Sequence, residues 1–220
     1  MDFNELLRSI LVFAPPTILA ITLHEAAHGY VAKYFGDTTA WMLGRVTLNP
    51  VKHIDVMGTI VIPLVLLVVT GGRLLFGWAK PVPVNFNNLR HPKRDMLWVA
   101  AAGPVSNIVQ ALLWASLAKL LEGTTDAAAA AYWFDVAEAG VLANIVLAVL
   151  NLIPILPLDG GRVLASLLPN KVSYAYQATE RYGMLVLIVL IVSGILGRVM
   201  GPLVYAGVAS IYSLFGLPLQ

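Results

Sequence analysis

The stretch ILAITLHEAAHGYVA, at residues 18–32, interrupts an apolar run with two histidines and one glutamate. Ionisable side chains inside an apolar span of membrane length are costly, so their presence there indicates a function. Residues four apart in an α-helix lie on the same face, one turn from each other. The pattern therefore predicts an apolar helix that presents His24 and His28 together, with Glu25 next to them.

A His-Glu-x-x-His pattern on a helix is typical of zinc hydrolases, where two imidazoles bind the metal and the glutamate is the general base. Catalytic zinc takes three protein ligands and keeps one position for water. We therefore predict one Zn²⁺ per chain, held by His24, His28 and a third residue, although iron uses a similar ligand set. Because the flanks are apolar, the first hypothesis is a hydrolase whose active site lies in the bilayer.

The composition predicts a polytopic membrane protein. Of the 220 residues, 59% are hydrophobic and 12% are charged, whereas soluble domains have about a quarter charged. The absence of cysteine excludes disulfides, thiolate ligands and a cysteine nucleophile. We predict one membrane-embedded domain over residues 1–220, with a catalytic core at about 6–168 and C-terminal segments at about 183–217. We predict no nucleic-acid partner.

Charge-free windows predict an all-α bundle of about five or six transmembrane segments. Segments A to F are Leu6–Tyr34, Val56–Gly72, Met96–Ala118, about Ala139–Leu158, Gly183–Gly197 and Val199–Leu217, and a short helix is expected at Gly161–Leu168. Segments E and F are predicted as either a hairpin or one broken helix. Between segments B and C, Pro81 and Pro83 forbid a helix and favour an extended edge strand at about residues 74–86.

The third ligand is sought at the end of segment D, which reads NLIPILPLDGGR at residues 151–162. Pro154 and Pro157 bend the chain and free backbone groups, which a membrane protein tolerates where the chain lines a cavity. This bend lets the carboxylate of Asp159 turn toward a metal. Asp-Gly is also a common turn pair, so this interpretation of Asp159 depends on the histidine pair being a metal site.

Three motifs in this order resemble the site-2 protease family of intramembrane zinc metalloproteases, peptidase family M50. They are HEAAH at residues 24–28, AGPVSN at 102–107 and NLIPILPLDGGR at 151–162. The resemblance runs from Leu19 to about Leu168 and is to the compact branch, which lacks a PDZ-like domain. That branch also carries elements like LNPVKHID at 48–55 and GWAKPVPV at 77–84.

The resemblance implies roles for particular residues. His24, His28 and Asp159 are implied as zinc ligands, Glu25 as the general base, and Asn151 as a polar group near the scissile peptide. The implied activity is hydrolysis of transmembrane proteins or peptides within membrane lipid. Five more residues are candidates for supporting the site or positioning substrate: His53, Asn107, Lys80, Pro81 and Val82.

Ordinary structural roles remain open for some of these side chains. Asn107, Asn151 and His53 can each bond a backbone group freed near a proline or turn. Lys80 can extend its stem along apolar surface toward the interface. The alternative function is a non-proteolytic membrane protein that binds or transports zinc, or that holds transmembrane partners. The sequence does not predict the oligomeric state.

The ligands also constrain the topology. One metal ion requires the C-terminal ends of segments A and D on the same side, hence an even number of crossings between them. We therefore predict that segment B and the extended segment after it form a re-entrant pair, shielded by protein. In this topology nine basic residues lie on one side of the membrane and four on the other, with Lys80 left within the membrane. If every segment crossed the membrane in turn, the division would be nine against five. By the positive-inside rule, this predicts a cell-membrane protein with its active site toward the cytoplasm.

Overall fold

The computed structural model describes residues 3–62, 65, 77–122 and 127–219. Its helices are α1 (Phe3–Tyr34), α2 (Thr39–Met42), α3 (Pro92–Leu121), α4 (Ala127–Asn151), α5 (Asp159–Leu167), α6 (Asn170–Gln177), α7 (Glu180–Val192) and α8 (Ile195–Phe215). Short 3-10 turns lie at Pro50–His53 and Phe86–Asn88, and a π-helical turn at Val56–Val61. No β-strand forms among these residues, which confirms the predicted all-α class.

Several helices have the length and composition of membrane spans. Within the described part of the chain these are Leu7–Tyr34, Pro92–Leu121, Ala130–Asn151 and Ile195–Phe215. Helices α6 and α7 form a fifth candidate span with a bend of 61° between them. The chain is therefore an integral membrane protein. Predicted segment B is helical at Val56–Val61, and most of its remainder falls outside the described residues.

Helices α1, α3 and α4 pack together at the centre of the bundle. At one end, Arg8 of α1 pairs with Asp135 of α4, with 2.7 Å between Nη2 and Oδ2. At the other end, His24 and His28 of α1 face Asp159, which follows α4. Helices α1 and α4 thus run in the same direction, and their C-terminal ends reach the same depth, as the ligand argument predicted.

Small side chains allow these helices to approach closely. Ala111, Ala115 and Ala118 of α3 are fully buried against Ala137 and Val141 of α4. In a membrane, where lipid is as apolar as the side chains, small residues at such contacts bring backbones together. This close packing holds α3 against α4, the helix that precedes Asp159.

Segment D differs from its prediction at both ends. Helix α4 begins at Ala127, and it ends at Asn151 instead of about Leu158. The predicted end was wrong because hydropathy continues through Pro154 and Pro157, which cannot continue a helix. The chain instead turns through residues 152–158 and resumes as a helix at Asp159, two residues before the predicted start of α5.

Segments E and F are two separate helices, α7 and α8, joined by Ser193 and Gly194. Gly194 has a φ of 73°, in the left-handed region that glycine adopts without strain. This glycine therefore separates α7 from α8 and supports two helices instead of one.

Residues 77–85 form an irregular segment that we name the strap. Its backbone N–H groups at Trp78 and Lys80 donate to the carbonyls of Gly58 and His53, at 3.0 and 2.8 Å. The strap therefore returns beside the place where segment B begins, which agrees with a re-entrant pair; the expected turn falls outside the described residues. The predicted edge strand was wrong in one respect, because the strap has no strand partner among those residues.

Asp37 fixes the far end of the strap to the end of α1. Its Oδ2 accepts a hydrogen bond from the backbone N–H of Asn85 at 2.7 Å, and its Oδ1 accepts from Thr39 and Asn88. Burial opposes ionisation of this carboxyl, but these hydrogen bonds outweigh it and hold the pKa of Asp37 below its ordinary range. Asp37 therefore stabilises the strap in its ionised form.

Replacing Asp37 with Asn is expected to lower the free energy of unfolding by about 1–3 kcal/mol near neutral pH, because an amide leaves a buried donor unpaired. A carboxyl whose pKa is lower in the folded than in the unfolded protein stabilises the folded state at pH values above its unfolded pKa. This stabilisation is lost as the pH falls through the folded-state pKa. The difference between wild type and Asp37→Asn should shrink below about pH 4. Thermal unfolding in detergent at several pH values measures the difference in stability between the two proteins. A stability difference that does not depend on pH would contradict this role of Asp37.

Candidate active site

Three side-chain atoms meet between the end of α1 and the start of α5. The Nε2 atoms of His24 and His28 are 3.1 Å apart. Asp159 Oδ2 lies 3.2 Å from the first and 3.3 Å from the second. Both histidines are buried, and the Asp159 side chain is 14% exposed. Among the described residues, this is the group of histidines and carboxylates whose geometry suits a metal ion.

Hydrogen bonds to the Nδ1 atoms of the two histidines determine whether their Nε2 atoms face the site as donors or as acceptors. Nδ1 of His28 lies 2.7 Å from the carbonyl oxygen of Val99, and Nδ1 of His24 lies 2.6 Å from Oδ1 of Asn107. Both partners are acceptors, so each Nδ1 carries the proton and each Nε2 of a neutral ring carries a lone pair. Asp159 Oδ2 receives no hydrogen bond. Three acceptors that face one another suit a cation bound between them.

The arrangement fits zinc. Ligand atoms at 2.0–2.1 Å from a tetrahedral zinc are about 3.3–3.4 Å apart, close to the three distances found between these atoms. Two imidazoles and one carboxylate form a usual catalytic ligand set and leave a fourth position for water. His24, His28 and Asp159 can therefore hold one Zn²⁺.

Gly103 of α3 makes room for both imidazoles. A Cβ atom at this position would lie 2.6 Å from Nε2 of His24 and closer still to Nε2 of His28. Gly103 belongs to the AGPVSN motif, but the motif did not predict this role. A glycine within an apolar span was the available signal, yet only the packing of α3 on α1 shows what it accommodates.

The glycines after Asp159 let α5 begin close to the preceding turn. A Cβ on Gly161 would lie 2.6 Å from the backbone nitrogen of Leu156. Arg162 then joins α5 to α7 through Glu180, with 2.7 Å between Nη2 and Oε1. The DGGR sequence thus positions the Asp159 carboxylate between a tight turn and an ion pair.

Glu25 lies next to the histidines in sequence, and its carboxylate faces the strap. Its Oε2 accepts a hydrogen bond from the backbone N–H of Val82 at 2.7 Å, and Val82 is 7% exposed. Val82, one of the candidates for supporting the site or positioning substrate, thus contacts the predicted base directly. The sequence predicted that the strap and the site are related but not this hydrogen bond.

The other candidates on or beside the strap take part in contacts that hold the strap in place. Arg45 Nη2 donates to the carbonyls of Lys80 and Pro81, at 3.0 and 3.3 Å. His53 is buried below the strap, with Nε2 3.0 Å from the carbonyl of Thr47. Among the described residues, no hydrogen bond joins His53, Lys80 or Pro81 to the three ligand atoms. The structure thus places Lys80 and Pro81 on the strap, within two residues of the Val82 contact with Glu25, and His53 in the 3-10 turn to which the strap is bonded through Lys80.

Asn151 and Asn107 differ in their surroundings. Asn151 is the last residue of α4, and its Nδ2 donates to the carbonyl of Leu147 at 3.0 Å. Asn107 is fully buried and contacts His24 directly. The structure therefore brings Asn107 into contact with His24, whereas the hydrogen bond described for the Asn151 side chain lies within α4.

The site lies below the end of a membrane-length helix. His28 and His24 precede the last residue of α1 by six and ten positions, which is about 9 and 15 Å at 1.5 Å per residue. The hydrocarbon core of a bilayer is about 30 Å thick. Fold and site thus define a class of protein: a helical membrane protein with a buried His₂-carboxylate metal centre beside a glutamate.

Known proteins support this assignment. The sequence model of peptidase family M50 matches residues 116–194. The Bacillus subtilis protein named "Putative zinc metalloprotease YwhC" is 39% identical over 92% of this chain and 90% of its own length. "Putative zinc metalloprotease Rip2" of Mycolicibacterium smegmatis is 32% identical over 86% of this chain and 69% of its own. No solved structure matches the chain. The chain belongs to peptidase family M50, the site-2 protease family, and is a zinc metalloprotease.

Proposed function

We propose that the chain is an intramembrane endopeptidase that hydrolyses peptide bonds of transmembrane proteins or peptides. The depth of the site carries this proposal, because the histidines lie about 9 and 15 Å below the end of an apolar helix. Polar residues at this depth mark a functional site. A substrate that reaches them must itself enter the bilayer.

The proposed roles follow from the geometry. His24, His28 and Asp159 hold one Zn²⁺, and Glu25 accepts a proton from the attacking water and returns it to the leaving amine. Zinc, when bound, polarises the peptide carbonyl and lowers the pKa of water. Asn151 uses one amide hydrogen on Leu147, so the second can donate to the substrate carbonyl.

The strap is the proposed binding place for the substrate backbone. A transmembrane helix buries its peptide bonds in its own hydrogen bonds, so the substrate must unwind before it is cut. The strap lies against Glu25 without a strand partner among the described residues. An unwound segment can add to it as an extended strand, as peptides add to sheet edges elsewhere.

Replacing Arg45 with Met is expected to raise KM for a transmembrane substrate about tenfold, with zinc content unchanged. The reason is the loss of two charge-assisted hydrogen bonds that hold the strap at Lys80 and Pro81. Steady-state kinetics on a labelled transmembrane peptide measure KM and kcat separately. Lys52→Met removes an exposed cation from the same loop and is the matched control. An unchanged KM in Arg45→Met would contradict strap-mediated binding.

The proposed location is the cell membrane, with the site toward the cytoplasm and lipid around the bundle. The division of basic residues supports this orientation, because the side with the larger number is also the side of the ligands. A metal transporter is the less favoured alternative. Transport needs ligands along a path, whereas one three-residue group forms among the described residues.

The test combines metal analysis with cleavage. The protein purified in detergent should hold one zinc per chain and cut some members of a panel of transmembrane peptides. A chelator should remove both zinc and activity, and added zinc should restore them. Zinc without cleavage of any peptide would favour the non-proteolytic alternative, and wild type without stoichiometric zinc would contradict the site.

A further inference from the structure

Two asparagines form a buried connection between α1, α3 and α4. Asn107 of α3 and Asn144 of α4 are both 0% exposed. Asn107 Nδ2 donates to Asn144 Oδ1 at 2.8 Å, and Asn144 Nδ2 donates to the carbonyl of Gly140 at 2.9 Å. Buried amides inside apolar helices are costly unless their hydrogen bonds are satisfied. One hydrogen bond joins the two amides directly, and the others go to His24 and to the carbonyls of Ala20 and Gly140, so the orientations of the two amides are coupled.

The connection has a fixed direction, set by a backbone group. The carbonyl of Gly140 only accepts, so the amide nitrogen of Asn144 must face it and its Oδ1 must face Asn107. Asn107 then presents Nδ2 to Asn144 and Oδ1 to His24. A flip of either amide would set donor against donor or acceptor against acceptor. The Gly140 carbonyl thereby determines which ring nitrogen of His24 carries the proton.

The two histidines differ in this respect. His28 Nδ1 bonds directly to the backbone carbonyl of Val99, whose orientation is fixed by helix α3. His24 Nδ1 bonds to a side-chain amide, which can rotate unless something holds it. Asn107 also donates weakly to the carbonyl of Ala20, at 3.3 Å, so the shorter bond to Asn144 is the stronger constraint.

We propose that Asn144 is a positioning residue for the metal centre, acting through Asn107 on His24. It keeps the amide of Asn107 turned so that His24 carries its proton on Nδ1 and offers Nε2 inward. This inference rests on the proposed role of His24 as a zinc ligand. Partners of metal-binding histidines contribute a factor of about 10–100 to metal affinity.

Zinc affinity of four variants tests the proposal. Metal-free protein in detergent is titrated with zinc in competition with a chromophoric chelator, after circular dichroism and gel filtration show a folded protein. We expect Asn144→Leu to weaken zinc binding about tenfold and Asn107→Leu to weaken it at least as much. The double variant should bind zinc as Asn107→Leu does, because Asn144 acts only through Asn107.

Gln110→Leu is the matched control. Gln110 is another buried amide on α3, with Nε2 3.2 Å from Ser106 Oγ and 3.5 Å from the carbonyl of Ala20, and within the described part of the chain it bonds to no histidine. Its replacement should leave zinc affinity unchanged. Asn144→Ala removes the amide without adding an apolar side chain of similar size, and it should weaken zinc binding as Asn144→Leu does. It replaces Asn144→Leu in the test if the leucine variant fails to fold.

Two outcomes would overturn the proposal. Wild-type affinity in both Asn144 variants would show that Asn144 has no influence on the centre. An equal loss from Asn144→Leu with and without Asn107 would show a packing effect that does not pass through Asn107. Wild type without zinc binding would be a different failure, since it would remove the metal site on which this inference rests.

Discussion

Glu25→Gln is expected to reduce peptide-bond hydrolysis by about 10²–10⁴-fold and to leave one zinc per chain. The amide has nearly the shape of the carboxylate, but it cannot accept a proton from the attacking water. It can still accept the hydrogen bond from Val82, so the strap should stay in place. Turnover of a transmembrane peptide and elemental analysis of the same sample measure the two properties together.

Glu122→Gln is the control for this prediction. Glu122 follows α3 at the opposite end of the bundle, where it pairs with Lys119. Its replacement should change neither property. A Glu25→Gln enzyme that keeps more than about a tenth of wild-type turnover would show that another group is the base, since general-base catalysis supplies at least about 10².

Gly103→Ala is expected to abolish both zinc binding and activity. The added methyl group would occupy the position of the two imidazole rings, so His24 and His28 could no longer direct Nε2 to one point. Helix propensity acts in the opposite direction, because alanine favours a helix over glycine by about 1 kcal/mol. The variant should therefore remain helical while losing its metal, which circular dichroism and zinc titration distinguish.

Gly201→Ala provides the comparison. Gly201 lies in α8, and a Cβ there meets no neighbouring atom of the described residues within 4 Å. This change should leave zinc and activity as in wild type. Normal zinc affinity in Gly103→Ala would mean that the imidazoles do not lie against α3 as described.

The sequence predicted those membrane segments well that are marked by a continuous run of uncharged residues. Charge-free windows reflect the cost of charge in lipid, and they located α1, α3 and α8 closely. The end of segment D was wrong because hydropathy does not register the missing N–H of Pro154. Here the chemistry of one backbone group outweighed the hydropathy of the side chains around it.

The two histidines proposed to bind the metal were predictable as a pair because their spacing is a property of a helix. His24 and His28 are one turn apart in any helix, whatever surrounds it. Asn144 was not predicted, although a polar residue in an apolar span was visible. Its significance depends on Asn107, which is distant in sequence, and on the orientation of both amides. Val99 acts through its carbonyl, so its side chain carried no signal.

The most direct test of the account is the position of the cut in a membrane. A single-span substrate is reconstituted with wild type or Glu25→Gln in liposomes, and the products are identified by mass spectrometry. We expect wild type alone to cut inside the apolar segment, toward the end that lies on the side of the C-terminus of α1. Cleavage confined to the polar flanks would contradict an active site within the bilayer.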